Sequence, residues 1–127
     1  MKYLLDTHAF LWYFQDSENL SKAAADTIED ARLQKHVSVA SLWEFSIKYG
    51  LEKLEFDGGL SHLWRIIVQN HFTILPIAQP YLEGVAHLPP IHRDPFDRLL
   101  VATAKADGLT ILTADENIRK YDVPTVW

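Results

Sequence analysis

Lys2-Tyr3-Leu4-Leu5-Asp6-Thr7 is the stretch that decides the fold. Its apolar core does not alternate with polar residues, so a strand here is buried on both faces, as in a parallel sheet covered by helices. The run breaks off at Asp-Thr, and Ala9–Phe14 then reads as a short apolar helix.

Moving outward, Ser21 looks like the N-cap of an Ala-rich helix, Lys22–Leu33. His36–Val39 is a second short strand, and Ser41-Leu42-Trp43-Glu44 reads as a capping box opening a helix that stops at Gly50. Leu60–His71 has helical spacing, Thr73–Ile77 is a strand closed by Pro76, and Gln79–Leu88 is a helix halted by Pro89-Pro90. Asp94-Pro95 opens the next helix, with Asp as cap and Pro at the first position; it runs through Phe96–Asp107 and ends at Gly108. Leu109–Leu112 is a fourth strand, Glu116–Lys120 a helical turn or two, and Pro124–Val126 a fifth strand. Strands and helices alternate, which predicts an α/β domain with a parallel sheet. No repeat or linker divides residues 1–127, so one domain is expected.

Composition narrows the class further. The 127 residues are 48% hydrophobic and 23% charged, with 5 Gly and 6 Pro, which excludes disordered and collagen-like chains. There is no cysteine, hence no disulfide framework and no thiolate metal site. The densest apolar run, Ala9–Phe14, falls far short of the roughly 18 residues of a membrane span. The start does not read as a signal peptide, so the expected location is cytoplasmic and no membrane partner is expected. The net charge of −5 argues against a broad basic footprint for nucleic acid.

Ligand sites of parallel sheets lie outside the carboxyl ends of the strands, and here acids stand there. Asp6 follows the first strand, Glu44 falls in the first turn of the helix after the second, Asp97 in the first turn after the double proline, and Asp115 after the fourth strand. Thr7 and Thr113 add hydroxyls beside Asp6 and Asp115, and Asp94 lies one turn before Asp97. Taken singly, each acid reads as a helix cap or turn residue. Taken together, carboxylates gathered at one edge would repel one another and resist ionisation, and a hard divalent cation relieves both effects.

Residues 3–8 (Tyr-Leu-Leu-Asp-Thr-His), 37–48 (Val-Ser-Val-Ala-Ser-Leu-Trp-Glu-Phe-Ser-Ile-Lys), 92–104 (His-Arg-Asp-Pro-Phe-Asp-Arg-Leu-Leu-Val-Ala-Thr-Ala) and 109–116 (Leu-Thr-Ile-Leu-Thr-Ala-Asp-Glu) together resemble the PIN domain family, and within it the VapC-type toxins of bacterial toxin–antitoxin pairs. The resemblance implies a three-layer α/β/α fold with a short, mostly parallel sheet of about five strands. It implies that Asp6, Glu44, Asp97 and Asp115 form an acidic quartet that binds Mg²⁺ or Mn²⁺ and cleaves RNA, leaving 5′-phosphate and 3′-hydroxyl ends. Thr7 and Thr113 match the supporting hydroxyls, and Asp94 is a cap or lies just behind the quartet. A cognate antitoxin and a homodimer are implied in the same way.

With the four acids set aside, the −5 of the chain falls to −1, and Arg93, Arg98, Lys105, Lys48 and Lys53 are then candidates to guide RNA. Arg98 also reads as a salt-bridge partner on a solvated helix face. No histidine pair has metal-site spacing, and His8 and His92 read as satisfied or exposed. Trp43 and Trp64 read as core; of Phe10, Trp12, Tyr13 and Phe14, not all can face one core, so some are left for a partner. Two other readings compete: a non-catalytic domain that binds RNA or a partner, which the intact quartet disfavours, and a phosphatase with Asp6 as nucleophile. The second calls for another Asp two residues on, where His8 stands.

Overall fold

The structure is a computed structural model describing residues 1–127. Its strands are β1 (Lys2–Leu5), β2 (Gln34–Ser38), β3 (Thr73–Leu75), β4 (Thr110–Leu112) and β5 (Thr125–Val126). They form one sheet in the order β3-β2-β1-β4-β5, with every neighbouring pair parallel. The helices are α1 (Thr7–Phe14), α2 (Lys22–Glu29), α3 (Val39–Gly50), α4 (Gly59–Gln69), α5 (Gln79–Ala86) and α6 (Pro95–Asp107), with a 3₁₀ turn at Ile118–Lys120. This is the expected three-layer α/β/α architecture.

The period of two along β1 divides the core. Tyr3 and Leu5 point into the larger cluster, with Phe10 of α1, Ile28 of α2, Phe45 of α3 and Leu63 of α4. Leu4 points the other way, against Leu100 and Val101 of α6 and Ile118 of the 3₁₀ turn. The central strand is therefore apolar throughout because helices cover both faces. The helix α5 lies on α6 closely enough that a Cβ on Gly84 would meet the Ala102 methyl at 3.2 Å.

Several boundaries differ from the sequence reading. The helix α2 stops at Glu29, not Leu33, because Asp30 turns extended and its carboxylate takes the Arg32 amide and guanidinium, each at about 3 Å. Lys35 donates to the Asp30 carbonyl at 2.7 Å, and the strand already starts at Gln34. The cap of α3 is Ser38, whose Oγ accepts from the Ala40 amide at 3.1 Å, so the chain passes from strand to helix without a loop. Ser41 is inside the helix, and its buried Oγ has no hydrogen-bond partner. Glu44 consequently lies in the second turn of α3, not the first.

The elements α4, β3 and α5 each end two residues earlier than expected, α4 also beginning one residue earlier, at Gly59, and only Ile118–Lys120 of the segment 116–120 is helical. Helix α6 matches the reading: Asp94 accepts from the amides of Phe96 and Asp97, and Gly108 closes the helix at φ 66, a left-handed conformation that suits glycine. Trp43 and Trp64 are not core; they are 59% and 40% exposed. Their apolar spacing is helical, but its phase carries these two rings outward.

Leu4 has no exposure and touches only the second core cluster, so Leu4→Ala leaves a cavity in the middle of the sheet. It is expected to lower unfolding stability by about 2–5 kcal/mol, read from the urea midpoint at unchanged slope.

Candidate active site

Because β1, β2 and β4 run parallel, their carboxyl ends reach the same edge of the sheet. Asp6 continues β1 there: its amide donates to the Leu112 carbonyl of β4 at 3.1 Å. One carboxylate oxygen caps α1 by accepting from the Ala9 amide at 2.7 Å, and the other accepts the hydroxyl of Thr113. Asp6 is only 5% exposed. Burial pushes its carboxyl above the usual carboxylate range, the Thr113 and Ala9 hydrogen bonds pull it back, and the nearby Asp115 raises it further.

Thr113 is fully buried just after β4. While donating to Asp6 it accepts the Asp115 amide at 3.0 Å. One oxygen of Asp115 in turn accepts from the amides of Asn117 at 2.8 Å and Ile118 at 3.0 Å, at the entry to the 3₁₀ turn. Thr7 plays the matching part on the other side. Its hydroxyl donates to one oxygen of Glu44 at 2.6 Å, and Lys48, one helical turn on, donates to the other at 3.0 Å. Glu44 is buried mid-helix and caps nothing, so the cap reading does not apply to it.

Asp97 is the third residue of α6, with one oxygen accepting from His92 Nε2 at 3.1 Å. Its carboxyl is pushed up to about 6, first by burial and then by the charges of Asp94, Asp115 and Glu44, against the pull of the His92 bond. Asp94 is the α6 cap, as one of its two readings had it. Two acids after strand ends, Asp6 and Asp115, one inside α3, Glu44, and one in the first turn of α6, Asp97, are thus linked by charge: Asp6 feels Asp115, and Asp97 feels Asp115 and Glu44.

The donor chemistry fits a hard divalent ion: all four are carboxylates, and their mutual repulsion at a buried edge favours a cation. No three of these side chains close around a common point tightly enough to hold a metal ion, since most of their oxygens are turned to the local donors above. Asp97 and Asp115 each keep one oxygen without a protein hydrogen bond. A cavity of about 170 Å³ opens between Asp6, Ala114, Asp115, His8 and Trp12, where the exposed His8 ring stacks on Trp12 at 5.2 Å. A roomier hollow near Phe14, Phe56 and Ile66 touches none of the four acids.

Arg98 is neither a salt-bridge partner nor a free phosphate ligand. Its guanidinium is spent on the Pro89 carbonyl at 2.9 Å and the Tyr121 hydroxyl at 3.0 Å. Lys48 pairs with Glu44, while Arg93, Lys53 and Lys105 remain exposed. His92 is satisfied, bonded to both Asp97 and Tyr121. Sequence reasoning passed over Tyr121 altogether; standing 24 residues after Asp97, it shares no local spacing with the acid it serves.

The PIN domain family profile matches residues 3–124. Ribonuclease VapC22 of Mycobacterium tuberculosis (strain ATCC 25618 / H37Rv) is 30% identical over 129 aligned residues, spanning 98% of this chain and 97% of that protein. Among solved structures, VapBC2 from Rickettsia felis, bound to a DNA fragment from its promoter, shares the fold with TM-score 0.77 at 15% identity, covering 100% of this chain and 99% of that one. A toxin–antitoxin complex from Klebsiella pneumoniae does so with TM-score 0.67 at 18% identity, covering 98% and 96%. The family match runs along almost the whole chain and agrees with the parallel sheet and the strand-end acids: the chain belongs to the PIN domain family.

Proposed function

We propose that this PIN-domain chain is an endoribonuclease dependent on Mg²⁺ or Mn²⁺, with Asp6, Glu44, Asp97 and Asp115 as its metal-binding and catalytic side chains. The observation that carries the proposal is the placement of Asp6, Glu44, Asp97 and Asp115 at one edge of the sheet, Asp6 and Glu44 buried and Asp97 partly so, with Glu44 and Asp115 adding their charge to the burial that pushes the Asp97 carboxyl up. A fold that gathers acids against their own repulsion is adapted to a cation. The similarity to a protein named as a ribonuclease supports RNA as substrate.

A divalent ion held by these oxygens supplies Lewis acidity to the phosphate and a lowered pKa to the attacking water. The protein's own part is positioning. Thr113 and the Ala9 amide hold Asp6, Thr7 and Lys48 hold Glu44, and the unbonded oxygens of Asp97 and Asp115 would be the ones to hold an ion or a water. Arg93 and Lys48 are placed in the proposal as RNA contacts, since one is exposed and the other adjoins the acids. The phosphatase alternative lacks its second acid: His8 occupies that position and stacks on Trp12.

The biological reading is a toxin working in the cytoplasm as a homodimer and restrained by a cognate antitoxin. It is supported by the solved relatives that are toxin–antitoxin complexes. Outward apolar residues on α3 and α4, among them Trp43, Tyr49, Trp64 and Val68, provide surface for such partners.

Purified protein is expected to cut end-labelled total RNA in Mg²⁺ or Mn²⁺ and not in EDTA, with Asp6→Asn and Asp97→Asn each slower by at least about 10²-fold, the scale of losing one preorganised electrostatic group. Folded, metal-loaded, antitoxin-free protein that cuts no RNA would leave the non-catalytic reading in its place. The raised Asp97 carboxyl also sets a pH dependence. Ionising it costs more in the folded than in the unfolded chain, so its contribution to stability is intact below about pH 4, is lost as pH rises, and is gone above about pH 6. Without metal, Asp97→Asn is expected to melt higher than wild type at pH 7.5, with the gap closing towards pH 4. Adding Mg²⁺ should raise the melting temperature of wild type more than that of the variant.

A further inference from the structure

We infer that Arg98, Tyr121 and His92 form a positioning chain that locks one tautomer of His92, so that a neutral N–H holds one oxygen of Asp97 and leaves the other to a divalent ion. The inference rests on the nuclease reading above, and the hydrogen bonds can be followed donor by donor. A guanidinium only donates, so at 3.0 Å from Arg98 Nη1 the Tyr121 oxygen is an acceptor. That leaves the single phenolic hydrogen to be donated, and the acceptor within reach is His92 Nδ1 at 2.8 Å. With the phenolic hydrogen donated to Nδ1, that atom bears the lone pair and a neutral ring carries its proton on Nε2, which faces Asp97 at 3.1 Å.

The chain is rigid at each link. Tyr121 is buried in the core cluster with Leu100 and Ile118. Arg98 also donates to the Pro89 carbonyl at 2.9 Å, which ties down the loop that carries His92, and the two aromatic rings meet edge-on at 5.4 Å. Since Arg98 follows Asp97 on α6, the circuit leaves the helix and returns to it at the next residue. A neutral donor orients the carboxylate and keeps its charge for the ion. His92, Tyr121 and Arg98 act through Asp97 and are positioning residues.

The test combines ¹⁵N-histidine NMR at pH 7.5 with Mn²⁺ titration of metal-free protein. Wild type is expected to show His92 protonated on Nε2 alone. Tyr121→Phe keeps the buried ring and removes only the hydroxyl; it should lose that tautomer preference and bind Mn²⁺ about 10–100-fold more weakly at an unchanged urea slope. His92→Gln, which retains an N–H donor, should bind Mn²⁺ more tightly than His92→Ala. A proton on Nδ1 in wild type, or wild-type Mn²⁺ affinity in Tyr121→Phe, overturns the positioning chain while leaving the nuclease reading intact. Wild-type protein that neither binds Mn²⁺ nor cuts RNA overturns both.

Discussion

Asp6 brings a carboxylate into a nearly closed corner at the end of the central strand, and the site is organised around satisfying it. One oxygen is taken by the first turn of α1 and the other by Thr113, which lies 107 residues away in sequence. Thr113 also receives the amide of Asp115, so the position of the last acid depends on that of the first. Thr7, the next residue, donates to Glu44 across 37 residues of sequence. Two consecutive residues thus anchor acids from two other parts of the chain. A buried carboxylate left without donors would be far costlier than these hydrogen bonds are stabilising, and this asymmetry makes the arrangement specific.

The same corner explains why cap and ligand are not competing descriptions. Asp6 caps α1 and Asp94 caps α6 in the ordinary way, and Asp115 accepts the amides of Asn117 and Ile118 at the entry to the 3₁₀ turn. Helix N-termini tolerate negative charge, so they are an economical means of holding several carboxylates near one another. The compensation is incomplete. Asp97 remains pushed up to about 6, with burial as the largest cause. A cluster of partly compensated acids departs from the local optimum, in keeping with the proposed metal site.

The elements that were legible in the sequence are those whose signals are local. The unbroken apolar run of β1, the Asp94-Pro95 opening of α6 and the Gly108 stop each act within a few residues, and each was read correctly. The choice between Ser38 and Ser41 was not local. Both residues are able to cap a helix, and the decision came from the register of β2 on β1, where Val37 sits opposite Leu5 and the strand runs on to Ser38. Trp43 and Trp64 fit an apolar helical pattern, but only the docking of α3 and α4 on the sheet shows which way that pattern faces.

From its residues alone the chain was assigned an α/β class, a parallel sheet, and acids at its strand ends, because alternation, caps and strand ends are written in short stretches. Their mutual setting was not. Thr113 serving Asp6, Lys48 serving Glu44, and the path from Arg98 through Tyr121 and His92 to Asp97 were visible only once the chain was folded. Hydrogen bonds and charge interactions act over a few ångströms of space, and all but the Lys48–Glu44 and His92–Asp97 pairs cross elements whose separation in sequence says nothing about their distance.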